Sequence, residues 1–193
     1  VASQDLEDLK WSHDGAVLCI IDTVLQYQVL LYNADGELLQ SYRPYDNALG
    51  VKTWAWHPSG HMLAVGSYDE RARMLNSLTW QRLAECTHPA EPRPSFSESA
   101  VVWREPENDH GGYTAQRLPC SVPALTPNPD KACPKVGVGL LEWSAGGEYL
   151  ATVNDNMPRA LWLWDGATLL LHSLLLQAGH VEGAAWHPTR PLL

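Results

Sequence analysis

Apolar and polar positions repeat one pattern four times along the chain, each time around a tryptophan. The segments LKWSHDGAVLCI, WAWHPSGHMLAV, LEWSAGGEYLAT and AAWHPTRPLL align without gaps on the anchors Trp11, Trp56, Trp143 and Trp186. Apolar and polar residues alternate up to each anchor, a stretch rich in Ser, His, Pro and Gly follows, and an apolar run brings a leucine seven residues after the anchor. This pattern predicts a β-hairpin in every copy, with the anchor tryptophans in the core.

Each complete copy continues beyond its hairpin in the same way. An acidic residue follows the second strand, at Asp22, Asp69 and Asp155. Because these residues recur with the repeat, 11, 13 and 12 residues after the anchor, we expect them to accept turn amides rather than to carry chemistry. A third apolar strand ends in Tyr-Asn, Leu-Asn or Trp-Asp, and a fourth strand follows. Four strands per repeat are typical of a propeller blade.

One interval between anchors departs from the repeat length. The intervals are 45, 87 and 43 residues, so the middle one is close to two repeats. Nine of the chain's 14 prolines lie between residues 89 and 135. Proline removes a backbone donor, so the central strands of a further blade are hard to build there. We interpret residues 89–135 as a proline-rich inserted loop, either tolerated at the surface or used as an arm that binds a partner.

Two short motifs give the repeat a resemblance to a known family. Trp164-Asp165 is a WD dipeptide, and Gly179-His180 stands where a Gly-His pair opens the next repeat. The chain resembles a stretch of a WD-repeat β-propeller. The resemblance implies an all-β partial propeller of three four-stranded blades and the start of a fourth, a fragment of a longer propeller. It divides the chain into two blades (1–88), the inserted loop (89–135), and a third blade with the truncated start of a fourth (136–193).

The resemblance is incomplete at the positions that carry the family's polar network. Only one copy has a true WD dipeptide, and only one has Gly-His. The His/Asp/Ser/Trp hydrogen-bond network usual in this family is therefore expected in few blades, with apolar packing holding the others. Trp164 and Asp165, like the anchors and the repeated acidic residues, are predicted to be structural.

The balance of charges narrows the possible partners. The 193 residues include 13 Lys and Arg against 22 Asp and Glu, a formal net charge of −9, so nucleic acid is not an expected partner. The longest apolar run, LWLWDGATLLLHSLLL, is interrupted by Asp165, Gly166 and His172, so we expect no membrane association. Four cysteines at irregular spacing, without CxxC or a leader segment, favour a reduced, cytoplasmic protein.

The candidate catalytic and metal-binding residues are better explained as structural. His57 and His187 occupy a turn position that serine fills in the other two copies, so neither is expected to act as a base or a ligand. Cys120 and Cys133 have no second close pair, so they do not predict a zinc site. No GxSxG, P-loop, HExxH or GxGxxG motif supports catalysis. We predict no enzymatic activity, no cofactor and no metal.

The remaining function classes involve other proteins. A propeller displays loops on both faces of a rigid body, so the first hypothesis is a non-catalytic interaction scaffold, with Trp54, Trp80 or Trp103 as possible partner contacts. The alternative is a substrate receptor or adaptor of a ubiquitin ligase, which among WD proteins often has Arg two residues after the WD aspartate. The corresponding positions here are Asp35, Leu78 and Ala167. Those residues count against the alternative.

A narrower resemblance covers most of the chain. The runs LKWSHDG, LLYNADGELLQSY, WAWHPSGHMLAVGSYDERARMLNSLTWQ and KVGVGLLEWSAGGEYLATVNDNMPRALWLWD are similar to a family of WD-repeat proteins of centrosomes and spindle poles. A proline-rich insertion occurs at the matching position. The resemblance implies a cytoskeletal location at the centrosome and spindle pole, and a coiled-coil centrosomal anchoring protein as a partner. It also implies roles in microtubule anchoring, spindle assembly and cilium formation.

Overall fold

The chain folds into β-sheets. A computed structural model describes residues 3, 5–22, 28–46, 49–107, 112–128, 130 and 135–193, and its fourteen strands lie in three sheets. Within those ranges no helix is long and apolar enough to cross a membrane. Cys133 and the prolines at 129 and 134 lie outside the described residues.

The first two sheets are four-stranded antiparallel meanders in which chain neighbours pair. The first contains β1 (Leu6–Trp11), β2 (Val17–Asp22), β3 (Gln28–Asn33) and β4 (Leu38–Tyr42). The second contains β5 (Val51–Trp56), β6 (Met62–Ser67), β7 (Arg71–Asn76) and β8 (Arg82–Thr87). These sheets are the two predicted propeller blades.

The third sheet has six strands because the proline-rich segment joins it. The segment supplies β9 (Val101–Arg104) and β10 (Thr114–Arg117), and the third blade supplies β11 (Val138–Trp143), β12 (Tyr149–Asn154), β13 (Ala160–Asp165) and β14 (Leu171–Leu176). The strand order is β10-β9-β14-β13-β12-β11, with β9 parallel to β14. The sequence predicted only a loop here and missed both strands.

The turn after each anchor has the same backbone geometry in all four copies. The amide of the residue that follows the anchor donates to the carbonyl of the residue six positions after the anchor. The distances are 2.8 Å for Ser12, 2.9 Å for His57, 2.8 Å for Ser144 and 2.7 Å for His187. The first three turns contain a glycine with φ between 70° and 80°, a region that side chains with a Cβ rarely adopt. The fourth copy forms the turn, but residues 177–193 contain no strand.

Apolar layers fill the spaces between consecutive blades. We call the side of a sheet that faces the preceding sheet its near face and the opposite side its far face. In the first sheet, the far face is the side toward the second sheet. The far face of the first sheet packs its Cys19, Ile21, Val29 and Leu31 against Trp54, Trp56, Leu63, Val65 and Leu75 of the second. The far face of the second sheet packs Ala64, Ala72, Met74 and Cys86 against Leu141, Trp143, Leu150, Trp162 and Trp164 of the third.

The two outermost faces differ in their cover. On the near face of the first sheet, Trp11 is 49% exposed and Leu9 is 47% exposed. The prediction that every anchor tryptophan lies in the core is therefore wrong for Trp11, because no described sheet packs on this face. On the far face of the third sheet, the segment after β14 covers part of the surface, and the half-buried Trp186 stacks on Tyr149 at 6.3 Å.

Candidate interaction surfaces

The three tryptophans predicted as possible partner contacts lie in different environments. Trp54 is 4% exposed, and its Nε1 donates to Asp8 Oδ2 of β1 at 3.1 Å, so it joins two blades and cannot form a partner contact. Trp80 is half-buried and packs edge-to-face on Trp56 at 6.2 Å. Trp103, on β9, is 39% exposed. Among the three, the structure presents Trp103 at the surface.

A guanidinium organises a cluster of ion pairs within the second blade, beside the linker from the first. Arg73, 5% exposed on the near face of β7, donates from Nη1 and Nη2 to the two oxygens of Asp69 at 3.1 and 2.5 Å. Its Nε lies 3.1 Å from Glu85, and its guanidinium lies 5.9 Å from the centre of the Tyr45 ring. Both acids are themselves partly buried, so this cluster is structural and offers no free charge to a partner.

An ion pair fastens the second and third blades. Lys52 Nζ lies 2.7 Å from Asp155 Oδ2 and donates to the carbonyl of Val136 at 2.7 Å. A Cβ at Gly139 would lie 2.0 Å from Asp155 Oδ1, so glycine leaves the space that this carboxylate occupies. At the opposite end of the same interface His57 packs on Trp143 at 4.6 Å, and burial lowers the pKa of His57. His57 Nδ1 also accepts the Ser59 amide at 3.1 Å, which places the ring in the turn where the sequence predicted it.

The three repeated acidic residues do not share one position, which corrects the sequence alignment. Asp22 is the last residue of β2, 1% exposed, and accepts the Asp5 amide at 2.6 Å. Asp69 and Asp155 lie beyond the ends of β6 and β12, in the turns to the next strands, and bind a guanidinium and an ammonium group rather than turn amides. The residues that match Asp22 in register are Ser67 and Asn154, which end β6 and β12.

A buried relay of hydrogen bonds crosses the interface between the second and third blades. Trp164 Nε1 donates to Thr152 Oγ1 at 2.8 Å, and Thr152 Oγ1 lies 2.8 Å from His88 Nε2. His88 Nδ1 lies 2.7 Å from the carbonyl of Glu70, which can only accept. These partners require a proton on Nδ1 and none on Nε2, so Thr152 donates to the ring. Burial lowers the pKa of His88 to about 4, which keeps the ring neutral.

The WD aspartate organises the turn between the third and fourth strands. Asp165 Oδ1 accepts the amides of Ala167 and Thr168 at 3.1 and 2.7 Å and the Thr168 hydroxyl at 2.8 Å. These bonds, the Thr168 amide first, hold the pKa of Asp165 below its usual range. Asn76 accepts the corresponding two amides in the second blade, both at 2.9 Å. Asn76 therefore has the same role as the aspartate, whereas Asn33 in the first blade accepts the Glu37 amide at 2.7 Å instead.

A shallow groove of about 480 Å³ lies where the first strands of the blades come together. Its lining includes Lys10, Trp54, Glu142 and Glu182. The described residues contain no group of three His, Cys, Asp or Glu side chains that could hold a metal ion. The lining of the groove thus combines charged side chains of both signs with apolar ones.

Two curated proteins are similar to the chain over nearly all of its length. The mouse WD repeat-containing protein WRAP73 is 37% identical over 214 residues, which cover 99% of this chain and 46% of that protein. An uncharacterized WD repeat-containing protein of Schizosaccharomyces pombe is 27% identical over 191 residues, which cover 97% of this chain and 38% of that protein.

The chain belongs to the WD-repeat proteins.

Solved structures confirm the propeller fold of this WD-repeat chain. The crystal structure of the RRP9 WD40 repeats matches 91% of the chain and 40% of that structure, with a TM-score of 0.57 and 14% identity. The structure of U3-55K matches 94% of the chain and 42% of that structure, with a TM-score of 0.58 and 14% identity. No protein-family model matches. The WD-repeat chain spans less than half the length of the curated relatives it matches.

His88 and Thr152, two side chains of the buried relay, were missed by sequence reasoning. His88 follows β8 directly, but the inserted segment separates it from the blade whose Trp164 it reaches through Thr152. Gly179-His180, singled out by the WD-repeat motif, lies at the exposed end of the chain after β14. A search for histidines just after each fourth strand, rather than at a fixed distance before each anchor, would have found His88.

Proposed function

We propose that this chain is part of a non-catalytic WD-repeat scaffold in a complex of the centrosome and spindle pole. Its roles there are microtubule anchoring, spindle assembly and cilium formation, with a coiled-coil centrosomal anchoring protein as a partner. The observation that carries the proposal is 37% identity to a WD-repeat protein across 99% of the chain, including the inserted segment. WD-repeat propellers generally bind proteins, which supports the scaffold class.

The internal construction of the blades supports a rigid scaffold. Side-chain contacts fasten each pair of blades: Trp54 with Asp8 between the first and second, and His88 with Thr152 and Lys52 with Asp155 between the second and third. The charged groups named at these interfaces are paired with one another rather than directed at a common point. Such an arrangement fixes the relative positions of loops without assembling a reactive group, which suits binding rather than catalysis.

Affinity purification from dividing cells tests the proposal. A tagged protein containing this chain should recover coiled-coil centrosomal proteins and colocalise with centrosomal foci. Trp54→Ala, which removes a buried contact between blades, is the control for dependence on the folded propeller and should abolish the recovery. Recovery of ubiquitin-ligase adaptor subunits in place of centrosomal proteins would favour the substrate-receptor alternative. Recovery of neither class would contradict the scaffold proposal.

A further inference from the structure

The hairpin of β9 and β10 adds an edge to the third blade that the other blades lack. Four-residue β9 pairs with β14 on one side and with β10 on the other. The first and second sheets end at their fourth strands. The hairpin therefore projects beyond the width of a four-stranded blade, where a neighbouring four-stranded sheet would not cover it.

The hairpin is firmly held on its inner side. Val102 is 0% exposed and Leu118 is 8% exposed, both within the apolar layer between the second and third blades. The Glu105 amide donates to the Leu176 carbonyl at 2.8 Å, which extends the pairing beyond the strand ends. Tyr113 donates its hydroxyl to Gln177 at 2.7 Å. A partner would therefore meet a preformed edge rather than a loop that must order on binding.

An apolar row runs across the far face of the third sheet to this edge. Leu161 is opposite Leu175, Leu175 is opposite Trp103, and Trp103 is opposite Ala115 of β10. Exposure increases along the row, from 5% at Leu161 through half-buried Leu175 to 39% at Trp103 and exposed Ala115. Cross-strand neighbours on one face are in direct contact. A strand added beside β10 would place an apolar residue next to Ala115 and continue the row.

The outer edge of β10 is short, but it has no bulge, proline or lysine to discourage pairing. The ladders at the inner and outer edges of all three blades contain register shifts, whereas the β9–β10 ladder contains none. Bulges, proline and edge lysine normally discourage strand addition. In β10 the one charged side chain, Arg117, donates to the Ser99 carbonyl at 2.6 Å. Among the described residues no strand pairs with this edge.

Three carboxylates near the edge, those of Glu105, Glu107 and Glu182, outnumber the two exposed arginines of the hairpin, Arg104 and Arg117, which favours a basic partner. A cavity of about 890 Å³ on the far face is lined by Tyr113, Leu175, Glu105 and Glu182, among others, and Glu107 is exposed just beyond β9. The chain as a whole carries a formal charge of −9. A segment with lysine or arginine at its ends would be attracted to this surface.

We propose that the β10 edge and the Trp103 side chain form a docking site for an extended segment of a partner protein, which adds as a β-strand. The segment has apolar residues at alternate positions, with one beside Ala115, and basic residues at its ends. Main-chain hydrogen bonds to β10 provide affinity, and the apolar row provides the side-chain contact. This inference rests on the proposed scaffold function, because it names the surface through which the scaffold would hold a partner.

A synthetic peptide tests the site directly. The probe is a fluorescein-labelled peptide of alternating valine and threonine with two lysines at each end. The control peptide has the same sequence with every second amide N-methylated, which removes backbone donors without changing charge. We expect fluorescence polarisation to show saturable binding of the first peptide and none of the second at about 1 mM, the weak end of the affinity scale. Hydrogen exchange should slow at residues 114–117 when the first peptide binds.

Matched variants separate the docking site from the rest of the fold. Trp103→Ala should weaken peptide binding about tenfold, as expected for loss of an aromatic anchor, whereas Trp80→Ala should leave binding unchanged. Circular dichroism of both variants should match that of the native protein, which would show that they are folded. Equal binding of the two peptides, no exchange protection at β10, or unchanged binding by Trp103→Ala would overturn the proposal. These outcomes leave the centrosomal recovery experiment unaffected, so failure of the docking site is distinguishable from failure of the scaffold function.

Discussion

Replacement of His88 by glutamine tests whether the buried relay couples folding to pH. The folded chain holds the pKa of His88 at about 4, whereas an unfolded histidine has a pKa of about 6.5. Between these values the unfolded chain binds a proton that the folded chain excludes. The contribution of neutral His88 to stability is therefore complete above about pH 6.5 and is lost progressively as the pH falls toward 4.

The size of the effect follows from the two pKa values. Proton linkage predicts that the native chain loses about 2 kcal/mol between pH 7 and pH 5 through His88, and about 3 kcal/mol by pH 4. At pH 7, His88→Gln should cost about 1 to 2 kcal/mol, because Thr152 loses its acceptor and the Glu70 carbonyl its donor. Since glutamine does not titrate, the difference between native chain and variant should nearly disappear at pH 5.

Urea unfolding followed by tryptophan fluorescence measures this difference at each pH. His61→Gln is the matched control, because His61 is exposed and lies in a turn of the second blade outside the relay. We expect the free energy of unfolding of the control to fall between pH 7 and pH 5 by as much as that of the native chain. The free energy of unfolding of His88→Gln should fall less over the same range. Parallel loss of stability in the native chain and His88→Gln would refute the assignment of a neutral, buried histidine. Thr152→Val should reduce the cost of His88→Gln, since both changes break one relay.

Three further substitutions test the other contacts by the same unfolding assay. Arg73→Met removes the guanidinium that pairs with Asp69 at 2.5 Å and should lower the free energy of unfolding by about 2 kcal/mol. The value is small for a buried pair because Asp69 is partly exposed. An unchanged free energy of unfolding would show that the cluster is not stabilising. Asp165→Ala should cost about 1 kcal/mol and Asp165→Asn much less, because an amide oxygen can still accept the turn amides; equal costs would contradict this role. Trp54→Ala should cost about 3 to 5 kcal/mol, while the surface change Trp103→Ala should cost less than about 1 kcal/mol; the reverse order would contradict the burial pattern.

The hairpin register was predictable from the sequence because turn chemistry and apolar alternation agree. Glycine four residues after Trp11, Trp56 and Trp143 meets the need for a positive φ, and the residues on either side alternate toward the core. The same alternation could not reveal that Trp11 is exposed. Burial depends on which sheet packs on a face, and the local sequence around Trp11 is the same whether or not that face is covered.

The two strands of the inserted segment were hidden for a different reason. β9 and β10 are only four residues each, too short for a period-two pattern to be distinguished from a loop. Nine prolines around them argued against a blade, and that argument did not consider that proline is tolerated on either side of a short edge strand. The pairing of β9 with β14 is parallel and joins residues about 70 positions apart in the sequence. No local turn signal therefore predicts it.

Repeat position predicts packing better than it predicts polar contacts. The position that ends the second strand holds Asp22, Ser67 and Asn154 in the three blades, so a different polar group occupies it in each blade. Asn154, for example, donates to Glu70 of the preceding blade at 2.9 Å. An apolar face needs only the right volume and can recur unchanged, whereas a buried polar group must match one particular neighbour. Equivalence in the repeat is therefore strong evidence for a strand but weak evidence that two carboxylates have the same role.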